Sequence, residues 1–466
     1  MLNLKNFFEP KRIAVVGASR NPNKVGHVIF KNILDGGFEY GEREAIPVNI
    51  NADEILGRKA YHSVLKIEGR VDLAIISVPT EFVLKVVKEC NRKGIKDVLV
   101  ITSGFSEIGN VKLENKIRDF LNKNKMRCIG VNCLGVYDAY SKLDTLFLPR
   151  YRLKRPERGV ISFICQSGAV GSATLDVATE QGHKFSKFIS YGNATQIDES
   201  DLLEYLGNDE TTKVICLYLE GVKNGEKFYK TAKEISKKKP IIALKGGLTE
   251  KGEKATLSHT GSLAGKKEVY FGIFNQTGII KADSLEEMFS IASLVEKEIS
   301  FKGNKIQVIT NCGGYGIVAT DNIEEAKNID MAYLSKETVK NLKRVFPKTI
   351  NIENPLDVLG DATTERYKIA LENCIKDENI DGILLIALYQ TPLLTTDIVE
   401  VISETKRQTK KPIIVVSTGA EFTETLSRAL QETGVPVFGF PEDAIKAIDK
   451  LIWYQEKKRK LEVNIK

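Results

Sequence analysis

The chain has 466 residues, 42% hydrophobic and 28% charged, with a formal net charge of +7. That length exceeds a single core and, at roughly 100–200 residues per domain, predicts three domains. The charge bias is too small to suggest a nucleic-acid partner, and the composition is that of an ordinary soluble enzyme.

The longest apolar runs, such as Ile383 to Leu388, are strand-length, far short of the roughly 18–20 residues that cross a bilayer. The opening Met1-Leu-Asn-Leu-Lys-Asn-Phe-Phe lacks a basic region followed by an apolar stretch. A cytoplasmic protein with no membrane partner is therefore expected. Seven cysteines (90, 128, 133, 165, 216, 312 and 374) contain no Cys-x-x-Cys pair. They read as reduced and buried, and no metal site is expected.

In chain order, Arg12-Ile-Ala-Val-Val16 predicts a strand, followed by a glycine turn and a helix through Leu34. Strands at 45–48, 73–78, 98–102 and 128–131 follow, with helices between them, such as 81–91. This is a Rossmann-like unit over residues 1–147, expected to be self-contained. Residues 148–158, with two prolines and clustered charge, read as a linker. A second α/β unit spans 159–300, with strands at 159–164, 214–219 and 240–244. A third spans 301–466, with strands at 305–310, 383–388 and 412–417, and ends in a basic helix. The predicted fold class is α/β with parallel sheets, and ligands in such sheets bind beyond the carboxyl ends of the strands.

Four stretches carry candidate chemistry. Gly17-Ala18-Ser19-Arg20, running on to Lys24-Val25-Gly26, is a tight turn into a helix. Its N–H groups and positive helix end suit a phosphate-bearing ligand. It is neither a Walker loop nor Gly-x-Gly-x-x-Gly. Turn chemistry alone does not choose CoA over NAD, and a plain strand–helix turn is the alternative. His259 lies in Ser258-His259-Thr260-Gly261-Ser262, the only one of four histidines in small polar surroundings. Imidazole is a competent nucleophile toward phosphorus, and Thr260 and Gly261 supply donors for the resulting anion; a satisfied structural histidine is the alternative. Gln166-Ser167-Gly168 is a second strand-to-helix turn fit for phosphate, or else close helix packing. Glu220 ends the apolar run Cys216–Leu219, where a carboxylate can orient a histidine.

In this order and spacing the four stretches resemble the ADP-forming acetyl-CoA synthetases and their relative, the α subunit of succinyl-CoA synthetase. The matching strings are Val16–Ser19, Val131–Tyr137, Gln166–Gly168, Leu219–Gly221 and Ser258–Gly265. Asn311–Gly316 and Asn354–Thr363 resemble the third, ligase-type domain of the same family. The resemblance covers essentially the whole chain. It implies a Rossmann-like CoA-binding domain followed by two flavodoxin-like domains of the succinyl-CoA synthetase type.

The family implies that His259 becomes phosphorylated, that Glu220 hydrogen-bonds its imidazole, and that Ser167 and Gly168 head a helix cradling the phosphate. Gly17, Ala18 and Ser19 would meet the CoA phosphates, with Val78, Pro79, Ser103, Gly104, Asn132 and Cys133 along its path. Relatives commonly follow Pro-Val-Asn with Pro and then Lys. Here Asn49 is followed by Ile50-Asn51, which leaves Arg20, Lys24 or Arg58 as alternative basic contacts. Nothing resembles an ATP-grasp domain. The resemblance thus implies ADP/ATP and Mg on a partner β subunit, an α2β2 heterotetramer, and acyl-CoA and phosphate as substrates. A silent CoA-binding scaffold would not need His259 and Glu220 together. An oxidoreductase would want an acidic residue where Asn49-Ile-Asn51 stands.

Overall fold

The computed structural model describes residues 3–39, 43–249, 251–252 and 266–463. The chain divides into two compact units, residues 1–282 and 283–466.

The first unit opens with a five-stranded parallel sheet. Its strands are β1 (Arg12–Val16), β2 (Glu44–Val48), β3 (Leu73–Ile76), β4 (Asp97–Val100) and β5 (Arg127–Gly130), in the order β2-β1-β3-β4-β5. The strands are almost wholly buried apolar runs, as expected where helices cover both faces. Helices α1 (Val25–Asp35), α2 (Thr80–Lys93) and α3 (Val111–Lys123) make the crossovers. Because β1 lies between β2 and β3, the connection reverses direction there, which opens a crevice at the carboxyl ends of β1 and β3.

A seven-stranded sheet follows, formed by β6 (Gly135–Asp138), β7 (Leu143–Asp144), β8 (Arg158–Cys165), β9 (Phe185–Ser190), β10 (Val214–Leu219), β11 (Ile241–Lys245) and β12 (Ile280–Lys281). Its order is β12-β11-β10-β8-β9-β6-β7. Helices α4 (Gly168–Glu180), α5 (Glu199–Gly207), α6 (Gly225–Lys238) and α7 (Lys267–Thr277) lie between the strands. The sheet is not parallel throughout. β6 runs antiparallel to β9 and to β7. A short turn joins β6 to β7 because the Asp138 carboxylate accepts the N–H groups of Tyr140 and Ser141, each at 2.8 Å.

Residues 135–144, expected at the end of the first domain, therefore pair with the second sheet. The two sheets of this unit also share apolar packing. One hydrophobic core runs from Leu4, Phe7 and Phe8 through Ile189 and Leu203 to Phe274, and Phe8 stacks on Tyr205 with centroids 4.8 Å apart. The stretch read as a linker is pinned down: half-buried Arg155 pairs with buried Asp144 at 2.8 Å and donates to the Leu148 carbonyl.

The second unit holds α8 (Leu285–Glu296), β13 (Lys305–Thr310), α9 (Gly313–Glu325), β14 (Asp330–Met331), α10 (Lys336–Val345), β15 (Leu356–Asp357) and α11 (Thr364–Cys374). The chain continues through β16 (Gly382–Ile386), α12 (Ile398–Gln408), β17 (Ile413–Val416), α13 (Glu421–Glu432), β18 (Val437–Phe438) and α14 (Pro441–Val463). The sheet is parallel, β14-β13-β16-β17-β18, with β15 beside β13. Helix α8 packs against α14 in this unit. Two motif asparagines serve as ties. Asn354 accepts from Val308 N at 3.0 Å and donates to the Ile306 carbonyl at 2.8 Å. Asn311 accepts from Leu388 N at 2.9 Å.

All seven cysteines are free, and six are buried. No helix among the described residues is long and apolar enough to cross a membrane.

Candidate active site

Gly17 leaves β1 with φ +98°, which only glycine adopts without strain. A Cβ there would lie 2.6 Å from the Ser77 carbonyl oxygen. Helix α1 then passes so close that a Cβ on Gly26 would stand 1.9 Å from the Gly17 carbonyl oxygen. Asn49 locks the turn by donating to the Ala18 carbonyl at 2.7 Å, and the His27 ring meets the Ser19 carbonyl at 2.8 Å. Ala18 is buried, Ser19 half-buried, and Arg20, Lys24 and Val25 are exposed. The Gly17 and Ala18 N–H groups donate within the fold, to the Val48 and Val15 carbonyls, so what the turn offers an anion is the exposed start of α1 with Arg20 and Lys24 at its rim. Ile50, which follows Asn49, is exposed.

The other expected ligand positions continue along the same sheet edge. Ser77 N donates to the Val16 carbonyl and Ile101 N to the Ile76 carbonyl. Val78 and Pro79 precede α2, and Thr102 Oγ1 donates to the Val78 carbonyl at 2.7 Å. Thr80 Oγ1 donates to the Ser103 carbonyl at 2.7 Å, and Gly104, with φ +103°, packs on Thr80. Asn132 also has positive φ, +56°. It donates to Asn193 Oδ1 at 3.1 Å. Cys133 is a core thiol rather than a reactive one: burial pushes it up to about 12.

Here the first sheet's edge meets the second. One cleft of about 590 Å³ is lined by Ser103, Asn132 and Cys133 from the first sheet and by Gln166, Ser167, Gly168 and Glu220 from the second. Seven expected site residues converge there. The turn at Gly17–Gly26 lies on the same edge but does not line this cleft.

On the second sheet the sequence builds the site from strand ends. Ser167 caps α4, its hydroxyl accepting from Val170 N at 3.4 Å. Glu220 follows β10. Its backbone N–H and that of Gly221 donate to Gln166 Oε1 at 2.8 and 3.1 Å. Buried Lys245, at the end of β11, donates to the Glu220 carbonyl at 2.9 Å and sits 4.7 Å from the centre of the Tyr270 ring. Burial first, and then the Glu220 carboxylate to which it hydrogen-bonds, push the Tyr218 phenol up to about 12. A helix N-terminus and an amide lining one cleft can hold a phosphoryl group, and a carboxylate beside them can orient an imidazole. His259, Thr260 and Gly261 lie outside the described residues, and so does one side of the expected Glu220–His259 contact.

Asn193 is a cleft residue that sequence reasoning missed. It donates to Ser106 Oγ, Glu107 Oε2 and Glu114 Oε2 at 2.7–3.1 Å. Glu114, buried, ties α3 to the segment after β9. Burial raises its carboxyl, and hydrogen bonds from Ser106, Asn193 and Thr195 outweigh that and bring it below the usual range. The available signal was Gly192-Asn193 following a strand. A Cβ on Gly192 would lie 2.2 Å from the Asn132 carbonyl oxygen, so glycine is required for the two edges to meet. The apolar wall, Leu134, Phe147 and Leu148, left no sequence signal apart from ordinary hydrophobicity.

Residues 11–139 match the CoA binding domain family, and residues 158–295 match the succinyl-CoA ligase like flavodoxin domain. The chain is 43% identical over 97% of its length to an ADP-forming acetate–CoA ligase of Methanocaldococcus jannaschii, of which it spans 63%. It is 36% identical over 96% of its length to the α subunit of ADP-forming acetate–CoA ligase II of Pyrococcus furiosus, of which it spans 97%. The dinucleotide forming acetyl-coenzyme A synthetase 1 of Candidatus Korarchaeum cryptofilum, solved with phosphate and ADP, superposes with a TM-score of 0.91 at 32% identity, covering 100% of both chains. The chain belongs to the ADP-forming acetate–CoA ligase family.

Proposed function

We propose that this chain is the α subunit of an ADP-forming acyl-CoA synthetase, converting acyl-CoA, phosphate and ADP to acid, CoA and ATP through phospho-His259. The observation that supports it most is the shared cleft. It places residues of the CoA binding domain, Ser103, Asn132 and Cys133, beside Gln166, Ser167, Gly168 and Glu220 of the ligase-like domain. A phosphate oxygen attacks the thioester carbonyl, the carbon–sulfur bond breaks, and CoA leaves as the thiol, forming an acyl phosphate. His259 attacks phosphorus, and the carboxylate leaves. The phosphoryl group then passes to the terminal phosphate oxygen of ADP.

In this reading Gly17, Ala18, Ser19 and Gly26 shape the turn for the CoA phosphates, with Arg20 and Lys24 as nearby cations. Ser167, Gly168 and the Gln166 amide hold the phosphate, joined by Thr260 and Gly261, and Glu220 stabilises the cationic, phosphorylated imidazole. ADP and the Mg that neutralises its phosphates belong to an ATP-grasp β subunit in an α2β2 assembly. The location is the cytoplasm.

The test is labelling by acetyl phosphate with 32P in the phosphoryl group. The wild-type chain should acquire acid-labile, base-stable label, and His259→Ala should acquire none while still binding CoA in calorimetry. Glu220→Gln should label about 100-fold more slowly. Wild-type label in His259→Ala would refute the assignment of the carrier. Steady ATP synthesis by the purified chain alone would refute the need for a partner.

A further inference from the structure

Glu220 is held through its backbone on both sides, by groups that no sequence motif joins. Its N–H donates to Gln166 Oε1 at 2.8 Å, and its carbonyl accepts from Lys245 Nζ at 2.9 Å. The same Gln166 oxygen accepts from Gly221 N at 3.1 Å and from the hydroxyl of Tyr191 at 3.4 Å. Two backbone N–H donors on one atom fix which end of the amide is oxygen, because an NH2 group in that place would face two other donors, and the Tyr191 hydroxyl donates to the oxygen so placed. Gln166 and Tyr191 are buried, and Gln166 lines the cleft.

We propose that Gln166 and Lys245 are the positioning residues of Glu220, clamping its peptide from both sides, and that Tyr191 locks the Gln166 amide so that its NH2 faces the bound phosphate. This deepens the proposed phosphoryl-transfer reading and rests on it. Gln166 has two separable jobs, one at each end of its amide. Oε1 organises the strand end that carries Glu220, and Nε2 donates to the anion.

Two substitutions separate the jobs. Gln166→Glu keeps an oxygen for the Glu220, Gly221 and Tyr191 donors but sets a second, negative oxygen against phosphate. It should keep the wild-type melting temperature within a few degrees. Its KM for inorganic phosphate should rise about 10- to 100-fold, as for loss of a charge-assisted hydrogen bond, in the chain reconstituted with its ATP-grasp partner. Gln166→Met removes the acceptor and leaves two backbone N–H groups unpaired. It should lower kcat about tenfold or more with a smaller change in the KM for phosphate. Lys245→Met should resemble Gln166→Met, with partial rescue of kcat in Lys245→Arg. Tyr191→Phe should give the smallest loss. In none should the KM for CoA change, since the glycine turn is untouched.

A Gln166→Glu enzyme with wild-type KM for phosphate overturns the amide polarity. Equal kinetic splits for Gln166→Glu and Gln166→Met overturn the division of labour, and wild-type kcat in Lys245→Met overturns the clamp. If the wild-type chain takes no label from acetyl phosphate, the phosphohistidine reading itself fails. Calorimetry with inorganic phosphate then decides the polarity alone, since Gln166→Glu must still bind it more weakly than wild type.

Discussion

A Cβ on Gly26 would stand 1.9 Å from the Gly17 carbonyl oxygen, whereas on Gly168 the nearest atom would be Leu134 Cβ at 3.4 Å. Both glycines open a helix that follows a buried parallel strand and a tight turn. In the turn after β1, glycine is dictated by the fold, because two pieces of backbone approach too closely for any side chain. In the turn after β8 the fold leaves room for a methyl group, so packing does not account for Gly168. The two turns also rest on different ground. Behind the first are the apolar Val15, Ile29 and Ile75. Around the second are buried polar groups: Gln166 and Lys245, which bond the Glu220 peptide from either side, and Tyr191, which feels the charge of buried Glu199. The first turn is a shaped scaffold, and the second is a polar site that the fold supports at some cost.

The largest expected effect is at the scaffold. Gly26→Ala must displace the Gly17 carbonyl or the start of α1, an overpacking that costs about 3 kcal/mol. Urea unfolding should show that loss, and calorimetry should show CoA binding lost with it. A Gly26→Ala chain as stable as wild type would mean that the close approach is not what glycine serves, and the contrast would collapse.

The polar side of the comparison should appear in the pH dependence of stability. Glu199 is buried at the start of α5, and its Oε1 has no hydrogen-bond partner among the described residues. Burial first, then Asp198, raises its carboxyl to about 7, against its own amide N–H, Lys227 and Lys223. Tyr191 and Tyr270 are the other titratable groups that feel its charge. In the unfolded chain the same group ionises near 4.5. Between these values the folded state binds more protons than the unfolded state. Stability is therefore full below about pH 4.5, falls as pH rises through 7, and levels off above it, a loss of roughly 3 kcal/mol. Glu199→Gln should remove that loss. Urea unfolding should find it close to wild type at pH 5 and more stable by up to about 3 kcal/mol at pH 8. Parallel pH profiles for the two proteins would show that Glu199 is paired and ordinary.

Much of this architecture could be read from the sequence because buried parallel strands are apolar runs with sharp ends. Expected strands at 214–219 and 305–310 match β10 and β13 residue for residue. Ser167, Gly168 and Glu220 were legible for the same reason, as each marks a strand end. What escaped depends on pairing between distant segments. Residues 135–144 form short strands with no alternation to tell which sheet they join. Asn193 enters the cleft only because Gly192 lets β9 end against the Asn132 carbonyl. The anchoring of residues 148–158 by the Arg155–Asp144 pair was hidden behind two prolines and clustered charge. The buried ties among Gln166, Tyr191 and Lys245 span 80 positions, and local spacing does not record such distances.

The smallest expected effect on stability is the sharpest test of the contrast. Gly168 is the first residue of α4, after the Ser167 cap, and its φ is not positive. Alanine is therefore conformationally acceptable there and reduces the entropy of the unfolded chain. The nearest atoms to the new methyl group would be Leu134 Cβ at 3.4 Å, Leu134 N at 3.7 Å and Ser190 Oγ at 3.9 Å, which are ordinary contacts. Gly168→Ala should leave stability unchanged or raise it by about 0.5 kcal/mol, opposite in sign to Gly26→Ala. The methyl group would nonetheless occupy the wall of the cleft beside Ser167, where the N–H groups of α4 begin. An anion held by that helix end would have to retreat by part of an ångström, and labelling by acetyl phosphate should slow about tenfold. A stabilised chain that labels more slowly would mean that this glycine keeps space for a ligand. If Gly168→Ala labels at the wild-type rate, the methyl group does not meet the phosphate, and the anion lies closer to Gln166 and Glu220 than to the start of α4. If it unfolds as readily as Gly26→Ala, the two turns are the same device, and glycine serves the backbone in both.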